Sequence, residues 1–387
     1  MSATLPIVTQ AQVLDVLRRI EDPDLHQDIV SLGFITRNEV SNGAVAVTIN
    51  LTTPACPVKE QMKGQAESLL RALPGVRSVA VEMTAVSNKP AGPARELAKG
   101  ARHIIAVSSG KGGVGKSTVA VNLAVALAQT GASVGLLDCD VYGPDIPMMM
   151  GLAGPPLQQD RKLVPKERHG VKTMSIGYLL DEDKPVVWRG PMMHKLIEQF
   201  LGDVIWGDLD YLLVDMPPGT GDAQLSLAQL VNLIGAVLVT TPQAVSTFDV
   251  GKAIGMFNQV KVPILGLVEN MSGFVVKGSV EGGVAGQTIR FDAGGVDQFA
   301  TLGPGGTFET VMEVFGSGGA DRLATKHGFP MLGRVPLNPI VRVGGDGGLP
   351  VTVSHPNSPI SLAFREIAGR MAQRVAIQAH KSLPILQ

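Results

Sequence analysis

Residues 108–118 read SSGKGGVGKST, and this stretch decides the predicted fold. It contains the pattern G-x-x-x-x-G-K-S/T, which marks a phosphate-binding loop when a strand precedes it and a helix follows it. The apolar run IIAV at 104–107 predicts the strand, and STVAVNLAVALAQTG at 117–131 predicts the helix. Gly131 is expected to end that helix in a left-handed conformation. We therefore predict a loop that binds the phosphates of a nucleotide.

The residue types in the loop suit this chemistry. Glycines allow backbone conformations in which successive N–H groups point at phosphate oxygens near a helix N-terminus. Lys116 would bring a cation to the β and γ phosphates, and Ser117 would bring a hydroxyl ligand to Mg2+. The predicted nucleotide-binding residues of the loop are Gly110, Lys111, Gly112, Gly113, Val114, Gly115, Lys116, Ser117 and Thr118.

Short apolar runs recur along the rest of the chain. Because they lack alternation of polar and apolar residues, they are typical of strands covered by helices on both faces. The repeated order of strand, turn and helix predicts an α/β fold, a layered parallel-sheet P-loop NTPase domain. The runs are IIAV (104–107), VGLL (134–137), YLLV (211–214), AVLVT (236–240) and ILGLV (264–268).

A small α/β domain is predicted to precede the NTPase domain. It begins with an amphipathic helix that Thr9 can cap. Two β-prone runs then flank the turn signal SNG at 41–43, and a helix at 58–73 and a strand at 76–83 follow. The apolar face of the first helix would hold Val13, Leu14, Leu17 and Ile20.

The predicted domain boundaries follow from a change in composition. Residues 86–102 mix proline, glycine, alanine and basic residues without apolar periodicity, which is typical of a linker. We therefore predict a small α/β domain at 1–85, a linker at 86–102 and the P-loop domain at 103–387. A glycine-rich insertion near 280–312 interrupts the last of these; such long segments are usually either functional or mobile.

The composition argues against several classes of protein. The chain has 387 residues, of which 45% are hydrophobic and 17% charged, and its formal net charge is -1. This balance gives no sign of a polyanion-binding surface, so we expect no nucleic-acid partner. The N-terminus lacks signal-peptide features, and no apolar run of roughly 18 residues occurs. We therefore expect a cytoplasmic protein without stable membrane association.

Aspartates follow two of the predicted strands. Asp138 and Asp140 lie in LLDCDVYGPD, and Asp215 ends the strand in YLLVDMPPGTGD, in the manner of a Walker B aspartate. Ligands bind at the carboxyl ends of strands in open α/β sheets, so these carboxylates can reach a metal or a water beside the γ phosphate. Asp215 would hold the Mg2+ shell, and the turn that ends at Gly219 would offer a backbone N–H to the γ phosphate. A single aspartate at a strand end is as often a helix cap, but here three features follow the loop in order.

Together these motifs resemble the Mrp/ApbC family of P-loop ATPases, which act as iron–sulfur cluster carriers. The resemblance runs from about Ile104 to the end of the chain, with one interruption. Residues 10–85, with DPDL, DIVSLGFI and TTPACP, resemble the small metal–sulfur cluster assembly domain often fused in front of such ATPases. The motifs that carry the main resemblance are GKGGVGKST, DCDVYGPDIP, WRGPMMHKLIEQFL, LDYLLVDMPPGTGD, LGLVENMS and VPLNPIVRVGGDGG.

The resemblance implies roles for residues that spacing alone leaves open. It implies a loop of the deviant Walker A type, in which Lys111 would reach across a nucleotide-sandwich homodimer to the partner's phosphates. By spacing alone, Lys111 could equally be a solvated lysine on a mobile loop. The resemblance also implies that Asp140 positions the attacking water, that Asp138 lies near the metal, and that Asn270, at the end of a strand, binds the adenine edge.

The chain departs from the family at the usual cluster ligands. Members commonly read N-M-S-x-F-x-C-P-x-C, whereas this chain has Val276 and Ser279 in place of the two cysteines. The chain's own cysteines, Cys56 and Cys139, are therefore tentative cluster ligands. Cys56 is predicted at a loop-to-helix junction, where a helix N-terminus would lower a thiol pKa. Cys139 lies between two aspartates, which would discourage a thiolate, and it could simply be a small buried residue.

The leading functional prediction is an ATP-hydrolysing, Mg2+-dependent iron–sulfur cluster carrier or assembly factor. It would act as a homodimer, with iron–sulfur apoproteins or assembly proteins as partners. Alternatives are a MinD/ParA-like positioning ATPase and an ATPase partner of another carrier that holds no cluster itself. A reductase component would need cluster cysteines after the switch segments, and none is there.

A last helix with Leu362, Ile367, Met371 and Val375 near one face could bind a membrane, but its polar face is not strongly basic, so we predict packing against the sheet.

Overall fold

The structure is a computed structural model that describes residues 8–23, 26–51, 58–85, 97–179 and 190–381. Backbone contacts divide the chain into two compact units. The first comprises Met1–Pro93, Gln129–Ala132 and Ala368–Gln387, and the second Ala94–Ala128 and Ser133–Ile367. Most of the predicted linker lies outside the described residues, and the predicted boundaries stay a prediction.

The N-terminal part of the first unit is a three-stranded sheet with two helices. Thr9 caps the first helix as predicted, and its hydroxyl accepts the backbone N–H of Gln12. That helix ends at Leu17. Ile20 is buried but lies beyond the helix, so its predicted place on the helix face was wrong. The elements are α1 (Gln10–Leu17), β1 (Glu21–Asp22), β2 (Gln27–Asp28), β3 (Ile35–Ser41), β4 (Ala44–Leu51), α2 (Lys59–Arg71) and β5 (Ser78–Ala85).

The predicted hairpin of this module is confirmed. Strands β3 and β4 pair antiparallel, and β4 pairs parallel with β5. Asn42 and Gly43 form the turn with φ of 50° and 81°. Asparagine and glycine are the residues that tolerate positive φ at both turn positions, so SNG was a reliable hairpin signal.

The second unit alternates strands and helices around one large sheet. Its elements are β6 (Ala101–Ser109), α3 (Lys116–Ala128), β7 (Val134–Asp138), α4 (Ile146–Met149), β8 (Gln158–Gln159), β9 (Lys162–Leu163), β10 (Lys166–Arg168), β11 (Val171–Ser175), α5 (Gly190–Gly202), β12 (Leu209–Asp215), α6 (Asp222–Leu230), β13 (Leu233–Thr240), α7 (Ala244–Gln259), β14 (Ile264–Ser279), β15 (Thr288–Asp292), β16 (Asp297–Thr301), β17 (Thr307–Met312), α8 (Gly319–His327), β18 (Met331–Leu337), α9 (Pro339–Asp346), α10 (Val351–Ser354) and α11 (Pro359–Lys381).

The large sheet has the strand order β10-β11-β7-β12-β6-β13-β14-β17, with β18 also paired to β14. All pairings are parallel except those of β10 with β11 and of β14 with β17. The five predicted apolar runs lie in β6, β7, β12, β13 and β14, and every residue of β13 is buried. The prediction of a layered parallel sheet is therefore confirmed.

Register brings the strand ends of the predicted site together. Asp215, the last residue of β12, pairs with Val107 of β6 on one side and with Asp138 of β7 on the other. Since β6 ends at Ser109 and leads directly into the P-loop, the loop and both aspartates share the carboxyl edge of the sheet. This edge is where ligands bind in parallel α/β sheets.

Strand β14 is longer than predicted, because Asn270 does not end it. Up to Asn270 it pairs parallel with β13 and β18, and from Phe274 onward it pairs antiparallel with β17, with Phe274 also opposite Leu337 of β18. Met271 and Gly273, with φ of 56° and 145°, redirect the chain between the two stretches. The change of direction at the carboxyl edge leaves Asn270 at the site while the strand continues away from it.

The glycine-rich insertion contains regular β-structure. Strands β15 and β16 form an antiparallel hairpin, and β17 returns along the end of β14. The rings of Phe291 and Phe308 pack with their centroids 5.9 Å apart. Glycine-rich composition concealed the alternation of half-buried and exposed residues along β15 and β17.

The last helix packs as predicted at Ile367. The Ile367 side chain fills the space beside Gly333 of β18, where an added Cβ would lie 2.6 Å from Ile367 Cγ1. Met371 and Val375 are also buried, whereas Leu362 is 52% exposed, so its predicted place on the buried face was wrong. Within the described ranges, none of the helices has the length and apolar character needed to cross a bilayer.

Candidate active site

The P-loop connects β6 to α3 and is closely packed from two sides. Gly115 has φ of +79°, and an added Cβ would lie 2.3 Å from Asn270 Nδ2. At Gly110 an added Cβ would lie 2.2 Å from the backbone carbon of Asp249 on α7. Glycine is therefore required at Gly115 by conformation and contact, and at Gly110 by contact alone.

The loop presents a row of backbone donors. In the described part of the chain, none of the N–H groups of residues 111–115 donates a hydrogen bond. These groups precede the first turn of α3, whose partial positive charge favours an anion. The donor set therefore fits phosphate oxygens.

Lys116 and Ser117 meet Asp215 directly behind the loop. Lys116 Nζ lies 2.8 Å from Asp215 Oδ1, and the Ser117 hydroxyl donates to Asp215 Oδ2 at 2.6 Å. Burial alone would lower the pKa of Lys116, but Asp215, Asp140 and Asp138 more than offset this and raise it. Lys116 is therefore a buried ammonium that keeps its charge at neutral pH.

Asp138 and Asp140 complete an acidic cluster around this ammonium. Asp140 Oδ2 lies 3.8 Å from Lys116 Nζ, and the Asp140 N–H donates to Asp138 Oδ1 at 3.0 Å. Burial, and then the charge of Asp215, raise the pKa of Asp138 well above its usual range. Burial likewise raises the pKa of Asp140, which Lys116 partly offsets.

The cluster fits a divalent cation held together with phosphate. Three buried carboxyl groups surround one buried ammonium, so a divalent cation placed there would favour their ionised forms. Among the residues that the structure describes, no three His, Cys, Asp or Glu side chains could hold a metal by themselves. Mg2+ usually takes few ligands from the protein and the rest from phosphates and water. Ser117, with the carboxyl groups behind it, provides a small ligand set of this kind.

Asn270 lies against the P-loop, as a nucleotide-binding residue would. Its amide donates through Nδ2 to the carbonyl of Val114 at 2.9 Å, and the residue is buried. An amide has a second N–H and a carbonyl oxygen, which are the two groups that a base edge needs. The role in adenine binding stays a prediction.

Lys111 is half-buried at the other end of the loop. No ion pair involves its ammonium in the described part of the chain, and its carbonyl accepts the Ser109 hydroxyl at 2.9 Å. Its backbone is thus held while its charge is not neutralised within the described chain. This placement leaves the Lys111 ammonium at the loop without an ion-pair partner among the described residues.

The turn after Asp215 differs from the prediction in one respect. The Gly219 N–H, expected to serve the γ phosphate, donates to the Ser109 carbonyl at 3.2 Å. Two residues that sequence reasoning missed support the site from behind: Ser175 donates to Asp138 Oδ2 at 2.8 Å, and Gln224 donates to the carbonyls of Pro217 and Pro218. Ser175 ends a strand with no apolar run, so only the position of Gln224, two residues after the end of PPGTGD, offered a signal.

The tentative cluster ligands have different outcomes. Cys56 lies outside the described residues. Cys139 is 1% exposed, and burial, then Asp138 and Asp215, raise its pKa well above the usual value. Val276 and Ser279 lie on β14 opposite Thr310 and Thr307 of β17. Neither their side chains nor a protonated Cys139 offers a thiolate.

A labelling experiment checks the state of Cys139. In a Cys56→Ser protein, where Cys139 is the one remaining thiol, we expect a disulfide reagent at pH 8 to react at least about tenfold more slowly than in denaturant. The reason is that each unit of raised pKa removes a factor of about ten in thiolate, in addition to burial. The rate should rise with pH. Equal rates for native and denatured protein would contradict the buried thiol.

Comparisons with known proteins agree with this geometry. The family model described as NUBPL iron-transfer P-loop NTPase matches residues 100–301 and 305–372, and a model described as iron-sulfur cluster assembly protein matches residues 10–83. An iron-sulfur cluster carrier protein of Synechocystis sp. is 45% identical over 96% of this chain and 99% of its own. One of Deinococcus radiodurans is 44% identical over 96% and 97%. A nucleotide-binding protein of Archaeoglobus fulgidus, solved in complex with ADP, superposes with a TM-score of 0.51 at 38% identity, covering 66% of this chain and 89% of that one.

Proposed function

Because the chain belongs to the family of NUBPL iron-transfer P-loop NTPases, we propose that it hydrolyses ATP as a homodimer to carry or assemble iron–sulfur clusters. The observation that carries the proposal is the buried cluster of Lys116, Ser117 and Asp215 behind a loop of free backbone donors. In the same chain, residues 10–83 match the model of an iron–sulfur cluster assembly protein. A phosphate site and an assembly module in one chain support coupling of nucleotide hydrolysis to cluster handling.

The described residues divide the work of hydrolysis among them. Lys116 would neutralise charge on the β and γ phosphates, and Ser117, oriented by Asp215, would be the protein ligand of Mg2+. Asp138 would stand behind the metal, and Asp140 would hold the attacking water. Mg2+, which Ser117 would hold with Asp215 behind it, would supply positive charge that stabilises the transition state. Asn270 would bind the base, and Gly219 would give its N–H to the γ phosphate after leaving Ser109.

Lys111 supports a site completed by a second copy of the chain. Its ammonium has no ion-pair partner within the described ranges, although its backbone is fixed by Ser109. A cation brought by a partner stabilises charge on the transferred phosphoryl group, as an arginine finger does. We propose that each Lys111 acts on the nucleotide of the other subunit.

For the cluster itself, we propose Cys56 as the ligand in place of Cys139. Burial among carboxylates keeps Cys139 protonated, whereas a metal ligand must be a thiolate. A reducing compartment such as the cytoplasm would keep Cys56 available. The partners would be iron–sulfur apoproteins or assembly proteins.

Anaerobic reconstitution with iron and sulfide tests the carrier role. We expect iron and acid-labile sulfide above background in the wild type, their loss in Cys56→Ser and their retention in Cys139→Ser. Cys139→Ser is the matched control, because it makes the same substitution at the chain's other cysteine. Retention of the cluster in Cys56→Ser would contradict the ligand assignment.

A second candidate is an ATPase partner of another carrier, holding no cluster itself. It is favoured by Val276 and Ser279, which lie in the paired strands β14 and β17 at the positions where the family pattern given above has cysteines. Under this alternative, the wild type would bind no iron above background in the same reconstitution while still hydrolysing ATP.

A further inference from the structure

The turn that follows Asp215 lacks the means to hold itself. Residues Pro217 and Pro218 have no backbone N–H, so two donors that would ordinarily fasten a turn are missing. Pro217 is buried and Pro218 is half-buried, so their carbonyls are largely withdrawn from water and gain from a hydrogen-bond donor of the protein. A side chain is therefore the natural source of hydrogen-bond donors for these carbonyls.

Gln224 supplies these donors. This residue lies in the first turn of α6, is 4% exposed, and donates through Nε2 to the carbonyl of Pro217 at 3.2 Å and to that of Pro218. A primary amide has two N–H donors on one nitrogen, which matches two neighbouring carbonyl acceptors. An ionised carboxylate of the same length would have no donor for these two carbonyls.

The other side of the turn is fastened to the P-loop. The Gly219 N–H donates to the Ser109 carbonyl at 3.2 Å, and the Ser109 hydroxyl donates to the Lys111 carbonyl at 2.9 Å. The turn is thus held at two points, by Gln224 on α6 and by Ser109 at the start of the loop. If the Gly219 N–H leaves the Ser109 carbonyl to bind a phosphate, only the Gln224 attachment of these two still holds the turn.

We propose that Gln224 is a positioning residue for ATP hydrolysis, which fixes the Pro217 and Pro218 carbonyls and so determines where the Gly219 N–H lies. The inference rests on the proposed ATPase function. Gln224 acts through the turn and touches no phosphate. Its loss should therefore impair the chemical step more than the binding of nucleotide, because the turn serves the transferred phosphoryl group while the P-loop holds the rest.

The decisive variant is Gln224→Glu in the full chain. Glutamate has the size of glutamine, but its carboxylate has no donor and faces two carbonyl oxygens. We expect kcat to fall about ten- to hundredfold, the cost of a small displacement of a catalytic group, with KM for ATP nearly unchanged. Gln229→Glu, an exposed site on the same helix, is the matched control and should behave like the wild type.

A pH profile separates positioning from a general loss of structure. The introduced carboxyl regains one O–H donor when protonated, so the kcat of Gln224→Glu relative to the wild type should rise as pH falls. Affinity for ADP, measured by calorimetry, should match the wild type. A kcat equal to that of the wild type, a pH-independent ratio, or loss of kcat and ADP affinity together would overturn the inference. An inactive wild type would instead refute the proposed ATPase function.

Discussion

We expect the Lys116→Ala protein to hydrolyse ATP at least about a hundredfold more slowly than the wild type, the usual cost of removing one preorganised group that stabilises transition-state charge. Lys116 is buried and lies 2.8 Å from Asp215, so no mobile surface cation can take its place. The loss should appear in steady-state phosphate release at saturating Mg2+ and ATP.

The matched control for this substitution is Lys326→Ala. Lys326 is an exposed lysine on α8, and its removal should leave the rate unchanged. Circular dichroism should confirm that both variants are folded. Hydrolysis by folded Lys116→Ala at the wild-type rate would contradict the assignment of Lys116 to the phosphates.

The larger effect is expected at Lys111. Removing a cation that a partner inserts into a phosphoryl-transfer site costs roughly 10³- to 10⁵-fold in rate, so Lys111→Ala should be nearly inactive. Its folding should be unaffected, because the Lys111 side chain makes no ion pair in the described part of the chain. Light scattering with ATP present should report a dimer for the wild type and weaker dimerisation for the variant. An active, monomeric Lys111→Ala protein would contradict the action across subunits.

Much of the fold could be predicted from short, local signals. The glycines of the loop 110–117 predict its backbone conformation, and unbroken apolar runs predict fully buried strands such as β13. The hairpin at Asn42 and Gly43 was predictable because few residues tolerate that turn. The positions of Asp138 and Asp215 were predictable too, because neighbouring parallel strands end at the same edge of a sheet.

The residues that support the site could not be predicted in the same way. Ser175 approaches Asp138 across two neighbouring strands, and Gln224 acts on carbonyls rather than through any motif chemistry. The sequence predicted that the strand ends at Asn270. It did not predict the bend at Met271, because that bend depends on backbone angles and on pairing with β17, which no local pattern records. Contacts between distant segments determine such details.

If two copies of this chain build each ATPase site, two inactive variants should restore activity when they are mixed. In a dimer of Lys111→Ala with Lys116→Ala, one site keeps Lys116 and receives Lys111 from the other chain. Random pairing in equal amounts gives about half mixed dimers, so the mixture should recover up to about a quarter of the wild-type rate per chain. A mixture no more active than the sum of the two variants alone would contradict a site assembled from two chains.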